Sequence, residues 1–150
     1  MQTMDLPAET RFVVACSTRR MGFDQVASEL KQRIAQRDPQ LQHYLQECAG
    51  LASETRRRAG EARLTLSWLG ATMDAAHMLI RSAKGVCKDE VDAWGDTARK
   101  AGAYGAESSA ARSEGGCAVA LADTGTAPHV ARALAAGRAV VFTDQIGPAA

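Results

Sequence analysis

With 150 residues, 46% of them apolar, and 18 Lys and Arg set against 17 Asp and Glu, the chain has the size and make-up of one globular domain. Its net charge of +1 excludes long-range attraction as a route to nucleic acid or an anionic membrane. No apolar run reaches the ~7 residues a secretory signal requires, so the expectation is a cytoplasmic, membrane-free protein. Its cysteines, Cys16, Cys48, Cys87 and Cys117, are then expected as reduced thiols.

In chain order, the β-branched run at 11–16 (RFVVAC) predicts a first strand. Phe23, Val26, Ala27, Leu30 and Ile34 recur at helical spacing and predict a helix that ends before Asp38. Asp38 followed by Pro39 is a helix restart, with the carboxylate as cap and the proline where no amide donor is needed. Leu41, Tyr44, Leu45, Cys48 and Leu51 carry that helix forward. The polar stretch 53–63 is either its solvated continuation or the turn of a hairpin. Leu66, Leu69, Met73, Ala76 and Ile80 form a second helical stripe, which Val86, Cys87, Val91 and Trp94 extend.

Between 95 and 116 there are five glycines and, apart from Tyr104, no large apolar side chain, which predicts a linker or frayed helix. Order resumes with a strand at 117–122 (CAVALA), a helix at 128–136 closed by Gly137, and a strand at 138–143 (RAVVFT). A helical connection of this length between two strands predicts a parallel crossover.

The fold class expected is therefore α/β, with α+β as its alternative. It comprises about three mostly parallel strands in a single domain. A long, alanine-rich helical hairpin at 38–94 would be inserted between the first strand plus helix (10–37) and the strand–helix–strand unit (117–146).

In a parallel sheet, ligands collect beyond the carboxyl ends of the strands, where helix N-termini offer free amides. Two loops would qualify here. Ser17, Thr18, Arg19 and Arg20 follow the first strand, and Asp123, Thr124, Gly125 and Thr126 follow the next. Together they would hold a phosphate or carboxylate. His43, His77 and His129 are scattered, and Asp74 one helical turn from His77 supplies too few ligands, so neither a metal nor a cofactor is expected. Arg56, Arg57 and Arg58 have acidic neighbours and no interleaved aromatics, as in a solvated helix face.

Residues 117–144 (CAVALADTGTAPHVARALAAGRAVVFTD) resemble the strand, Gly-Thr-Gly loop, helix and strand of sugar-phosphate isomerases of the ribose-5-phosphate isomerase B kind. The reactive cysteine of those enzymes aligns with Ala122. The resemblance therefore implies the structural unit rather than isomerase chemistry.

The functional expectation is a helical interaction or adaptor protein, with enzyme activity left open but leaned against. It would self-associate or bind a protein partner through Leu41, Leu45, Leu66, Leu69, Met73 and Ile80. The alternative is a small α/β protein that binds or transforms a phosphorylated or carboxylated metabolite at loops 17–22 and 123–126, with a small anion as ligand.

Overall fold

The computed structural model describes residues 6–17, 23–82, 89–108, 116–137 and 140–144. The chain runs β1 (Thr10–Cys16), α1 (Phe23–Ala35), α2 (Pro39–Gly60), α3 (Leu66–Ser82), α4 (Asp89–Lys100), β2 (Gly105–Ser108), β3 (Cys117–Asp123), α5 (Ala127–Ala136) and β4 (Val140–Asp144).

The restart at Asp38 forms as its chemistry requires. Its Oδ1 accepts from the amides of Gln40 at 2.9 Å and Leu41 at 3.2 Å, with Pro39 in the first turn. Arg33, in the last turn of α1, donates to Oδ2 at 2.7 Å and so joins the two helices. That arginine, followed by the capping amides, holds the Asp38 carboxyl below its usual pKa. The helix then continues through most of the polar stretch to Gly60. There Glu54 accepts from Arg57 and Arg58, which draw its pKa down to about 2.

Residues 95–108 are the first correction; 109–115 lie outside the described residues. Instead of a linker or frayed helix, α4 continues to Lys100 and a short strand, β2, follows at Gly105–Ser108. Burial explains why composition misleads here: Trp94 and Ala98 of α4 and Ala106 of β2 all lie in the core. Gly70 and Gly105 allow the backbones of α3 and β2 to touch. A Cβ built on Gly70 would overlap the Tyr104 carbonyl, and one built on Gly105 would overlap the Gly70 backbone.

The sheet is the second correction. Its order is β2-β3-β1-β4, and β2–β3, β3–β1 and β1–β4 all pair antiparallel. The strand–helix–strand unit at the C-terminus does place β3 and β4 in the same direction, but β1 lies between them running the other way. A short apolar strand with both faces covered or half-covered carries no alternation from which direction could be read.

One sheet face is built from small residues. Val13 and Ala15 stand opposite Ala120 and Ala118 in register, all at most 1% exposed. Trp94 and Ala98 of α4 and Ala127, Val130 and Leu134 of α5 join them in one buried cluster. Alanines on the strands let the helices approach closely, which packs this core despite few aromatics.

The helical hairpin does not offer its stripe to a partner. Leu41, Leu66 and Ile80 are 3%, 6% and 7% exposed inside the chain's own packing, and Leu69 and Met73 are half-buried. Of the six stripe residues only Leu45 is well exposed, at 48%.

Candidate functional site

The register of β1 against β3 decides where a site can lie. Thr10 stands opposite Asp123 at one end of the ladder, and Cys16 stands opposite Cys117 at the other. Six residue steps separate the ends, about 20 Å at ~3.4 Å per residue. Ser17 and the turn at 123–126 therefore lie at opposite ends of the β1–β3 ladder. A joint site required β1 and β3 to be parallel.

At the Asp123 end, the turn closes on itself. Asp123 Oδ1 accepts from the amides of Gly125 at 2.8 Å and Thr126 at 2.7 Å, and from the Thr126 hydroxyl at 3.0 Å. Its Oδ2 accepts from the Tyr104 hydroxyl at 3.0 Å. Thr124 Oγ1 donates to the Glu9 carbonyl at 3.4 Å. The Thr126 amide, then the Tyr104 hydroxyl, hold the Asp123 carboxyl below its ordinary pKa, and the same carboxylate raises that of Tyr104. Pro128, in the first turn of α5, has no amide to offer. The Gly125 and Thr126 amides of this turn are thus taken up by the chain's own carboxylate.

The other end is formed by the last residues of β1 and β2 and the first of β3. Cys16 and Cys117 are joined in a disulfide with their Cα atoms 4.2 Å apart. This corrects the expectation of reduced thiols for that pair, because a sequence separation of 101 conceals a directly opposed cross-strand position. Ser17 continues the ladder by one rung, its amide donating to the Gly116 carbonyl at 2.9 Å. Thr18, Arg19 and Arg20 lie outside the described residues.

The end of β2 belongs to the same region, since Ser108 pairs with Ala118. Its hydroxyl meets His77 Nδ1 of α3 at 2.9 Å, and His77 Nε2 lies 3.3 Å from Asp92 Oδ1 of α4. Arg81 reaches the second Asp92 oxygen at 3.2 Å. His77 is 3% and Ser108 1% exposed. Burial pushes the His77 pKa down, opposed by the Asp92 charge. A hydroxyl this buried is closed to substrate, so the array fixes β2 against α3 and α4 rather than supplying a nucleophile.

Asp74 and His77, one helical turn apart, do not act together. In the structure Asp74 instead accepts from Arg99 Nε at 2.8 Å and the Ala106 amide at 3.0 Å. The available signal was the position of His77 between Met73 and Ile80 on the apolar stripe, where a polar ring must find buried partners.

Elsewhere, Arg58 lies over the Trp68 ring at 4.7 Å and Arg57 bridges Glu54 and Glu61, as expected of a solvated face. Ala52, Ser53, Arg56 and Arg57 line an open hollow of about 330 Å³ on α2. Among the described residues, no group of three or more His, Cys, Asp or Glu could hold a metal ion, and no helix is long and apolar enough to cross a membrane.

No family model and no curated protein matches the chain. Solved structures do. The chain is similar to L. major mevalonate kinase in complex with R-mevalonate, with TM-score 0.74 and 24% identity over 91% of this chain and 42% of that one. Lactococcus lactis galactokinase complexed with galactose matches with TM-score 0.70 and 17% identity, over 93% of this chain and 46% of that one. Streptococcus pneumoniae phosphomevalonate kinase in complex with phosphomevalonate and AMPPNP matches with TM-score 0.68 and 13% identity, over 91% and 40%.

These structures are GHMP-family kinases, and at such identities the likeness establishes a shared fold. The chain spans less than half the length of each of these three. The adaptor expectation is overturned on this finding: the fold is one shared with small-molecule kinase structures, and the proposed interaction stripe, Leu45 apart, packs within the chain.

Proposed function

We propose that the chain is part of a GHMP-type small-molecule kinase, which transfers a phosphoryl group from a nucleotide to a small metabolite. The observation that carries this reading is the fold likeness to mevalonate, galactose and phosphomevalonate kinases over about nine-tenths of the chain. The small anionic ligand belongs to the same reading, as does a cytoplasmic location.

Phosphoryl transfer demands positioning and electrostatic stabilisation more than covalent chemistry from the protein. We assign the anion to the end of the sheet where β1 finishes, with Ser17, Thr18, Arg19 and Arg20 as its candidate contacts. The Asp123 end is the poorer choice, because an incoming anion would have to displace a carboxylate from the Gly125 and Thr126 amides.

The test is nucleotide turnover by the chain with mevalonate, phosphomevalonate, galactose and homoserine offered in turn, with binding of nucleotide and metabolite measured alongside. The reading predicts metabolite-dependent turnover or, at the least, saturable binding of one metabolite that Arg19→Ala or Arg20→Ala weakens. Absence of both turnover and binding contradicts it.

A further inference from the structure

We propose that protonation of His77 reverses its buried hydrogen bond with Ser108, which makes the Ser108–His77–Asp92 array a pH-sensitive switch where α3, α4 and β2 meet.

The geometry assigns the tautomer of the ring. His77 Nε2 lies 3.3 Å from Asp92 Oδ1, where a bare lone pair would face a carboxylate. Nε2 therefore carries the proton of the neutral ring. Nδ1 is left as an acceptor, and the Ser108 hydroxyl, 2.9 Å away, donates to it.

Taking up a second proton changes the sense of that one bond. The proton comes from water and settles on Nδ1, which then donates to the Ser108 oxygen. Ser108 keeps its own proton and turns it away from the ring. Both side chains are at most 3% exposed, so the reversal takes place inside the fold.

The surrounding groups set when it happens. Burial opposes the imidazolium most. Asp92 of α4 and Asp74 of α3 favour it, and Arg99 of α4 and Arg81 of α3 oppose it. Glu107, next to Ser108 on β2, alternates to the other face of the sheet, where burial raises its own pKa. The switch consequently works below the ordinary histidine range.

A second fastening of β2 to the same helices contains no histidine. Asp74 Oδ1 accepts from the Ala106 amide at 3.0 Å and from Arg99 Nε at 2.8 Å. Arg99 also donates to the Ala106 carbonyl at 2.8 Å. Ala106 is thus the internal reference for Ser108.

The inference does not depend on the kinase reading, and its test uses no substrate. NMR of the His77 ring nitrogens is followed as pH is lowered, together with the Ser108 signals and exchange of the Ala106 amide. We expect Nε2 protonated and Nδ1 bare at neutral pH. Below the ordinary histidine value Nδ1 should gain its proton. The Ser108 signals should move with the same midpoint while the Ala106 amide stays protected. Asp92→Asn keeps an acceptor for Nε2 but removes the charge, so the midpoint should fall by about one pH unit or more. His77→Gln should remove that midpoint from the Ser108 titration.

A bare Nε2 at neutral pH would overturn the inference, as would a ring that stays neutral until the chain unfolds. So would Ser108 signals that ignore the His77 midpoint, or an Ala106 amide that loses protection there. An Asp92→Asn midpoint that stays or rises, or a His77→Gln chain that keeps the midpoint, counts the same way. Should either variant not fold, the parent titration carries the test alone.

Discussion

The two ends of the β1–β3 ladder are closed in opposite ways. At one, Asp123 folds its carboxylate back onto the Gly125 and Thr126 amides, so the turn carries its own anion. At the other, the described residues include the Cys16–Cys117 disulfide and a further rung at Ser17 and Gly116. At the first end, where Asp-Thr-Gly-Thr runs ahead of a helix, the loop's own carboxylate already takes up the two amides. A loop's amino acids therefore do not show whether its amides are free; that depends on whether a nearby side chain of the chain reaches them first.

The largest effect that would erase the difference between the ends comes from the strand they share. Leu121 is 0% exposed at the centre of β3, opposite both Phe12 and Gly105. Leu121→Ala should cost about 2–5 kcal/mol in denaturant unfolding, with both ends lost in one transition. A loss confined to one end would mean that the ladder is not a single cooperative unit.

Next comes the buried array that holds β2 to the helices. His77→Ala removes the imidazole partner of the Ser108 hydroxyl and should cost about 1–3 kcal/mol. It should also change the pH profile. Because burial lowers the His77 pKa in the folded state, the folded chain binds this proton less readily than the unfolded chain. The stability it contributes is complete above the ordinary histidine value and is lost as pH falls through the folded value. Urea melts across that window should slope in the parent and flatten in the variant. Equal slopes would remove His77 from the account.

The smallest effect on stability sharpens the comparison most. Asp123→Ala should lower the melting temperature slightly and leave the Gly125 and Thr126 amides open. Phosphate should then stabilise the variant more than the parent, measured against an ionic-strength control. In the parent, the stability Asp123 contributes is present above the ordinary carboxylate value and is lost only as pH falls towards its lowered folded value. An identical phosphate response in parent and variant would mean the turn's amides are not held by that carboxylate.

Much of the architecture was legible in local chemistry. Asp38 with Pro39 marked the start of α2, and the Leu66, Leu69, Met73 and Ile80 spacing marked α3. The runs RFVVAC and CAVALA marked β1 and β3, and Gly137 marked the end of α5. Strand direction was not legible, because a short apolar run reads alike in either orientation. β2 escaped because its sequence, GAES, has no strand composition of its own. Its place depends on contacts between distant residues, Gly70 against Gly105 and His77 against Ser108.

The site followed the same pattern. Ser17 and the Asp123 turn were correctly singled out as strand-end loops, but their separation depends on pairing direction. The cross-strand link from Cys16 to Cys117, across a separation of 101 residues, depends on it too.

The most direct test of the account is amide NMR of the chain titrated first with inorganic phosphate and then with AMPPNP. The account predicts saturable shifts at the Ser17 and Gly116 amides and none at Gly125 and Thr126. Shifts at Gly125 and Thr126, or at neither end, would contradict it.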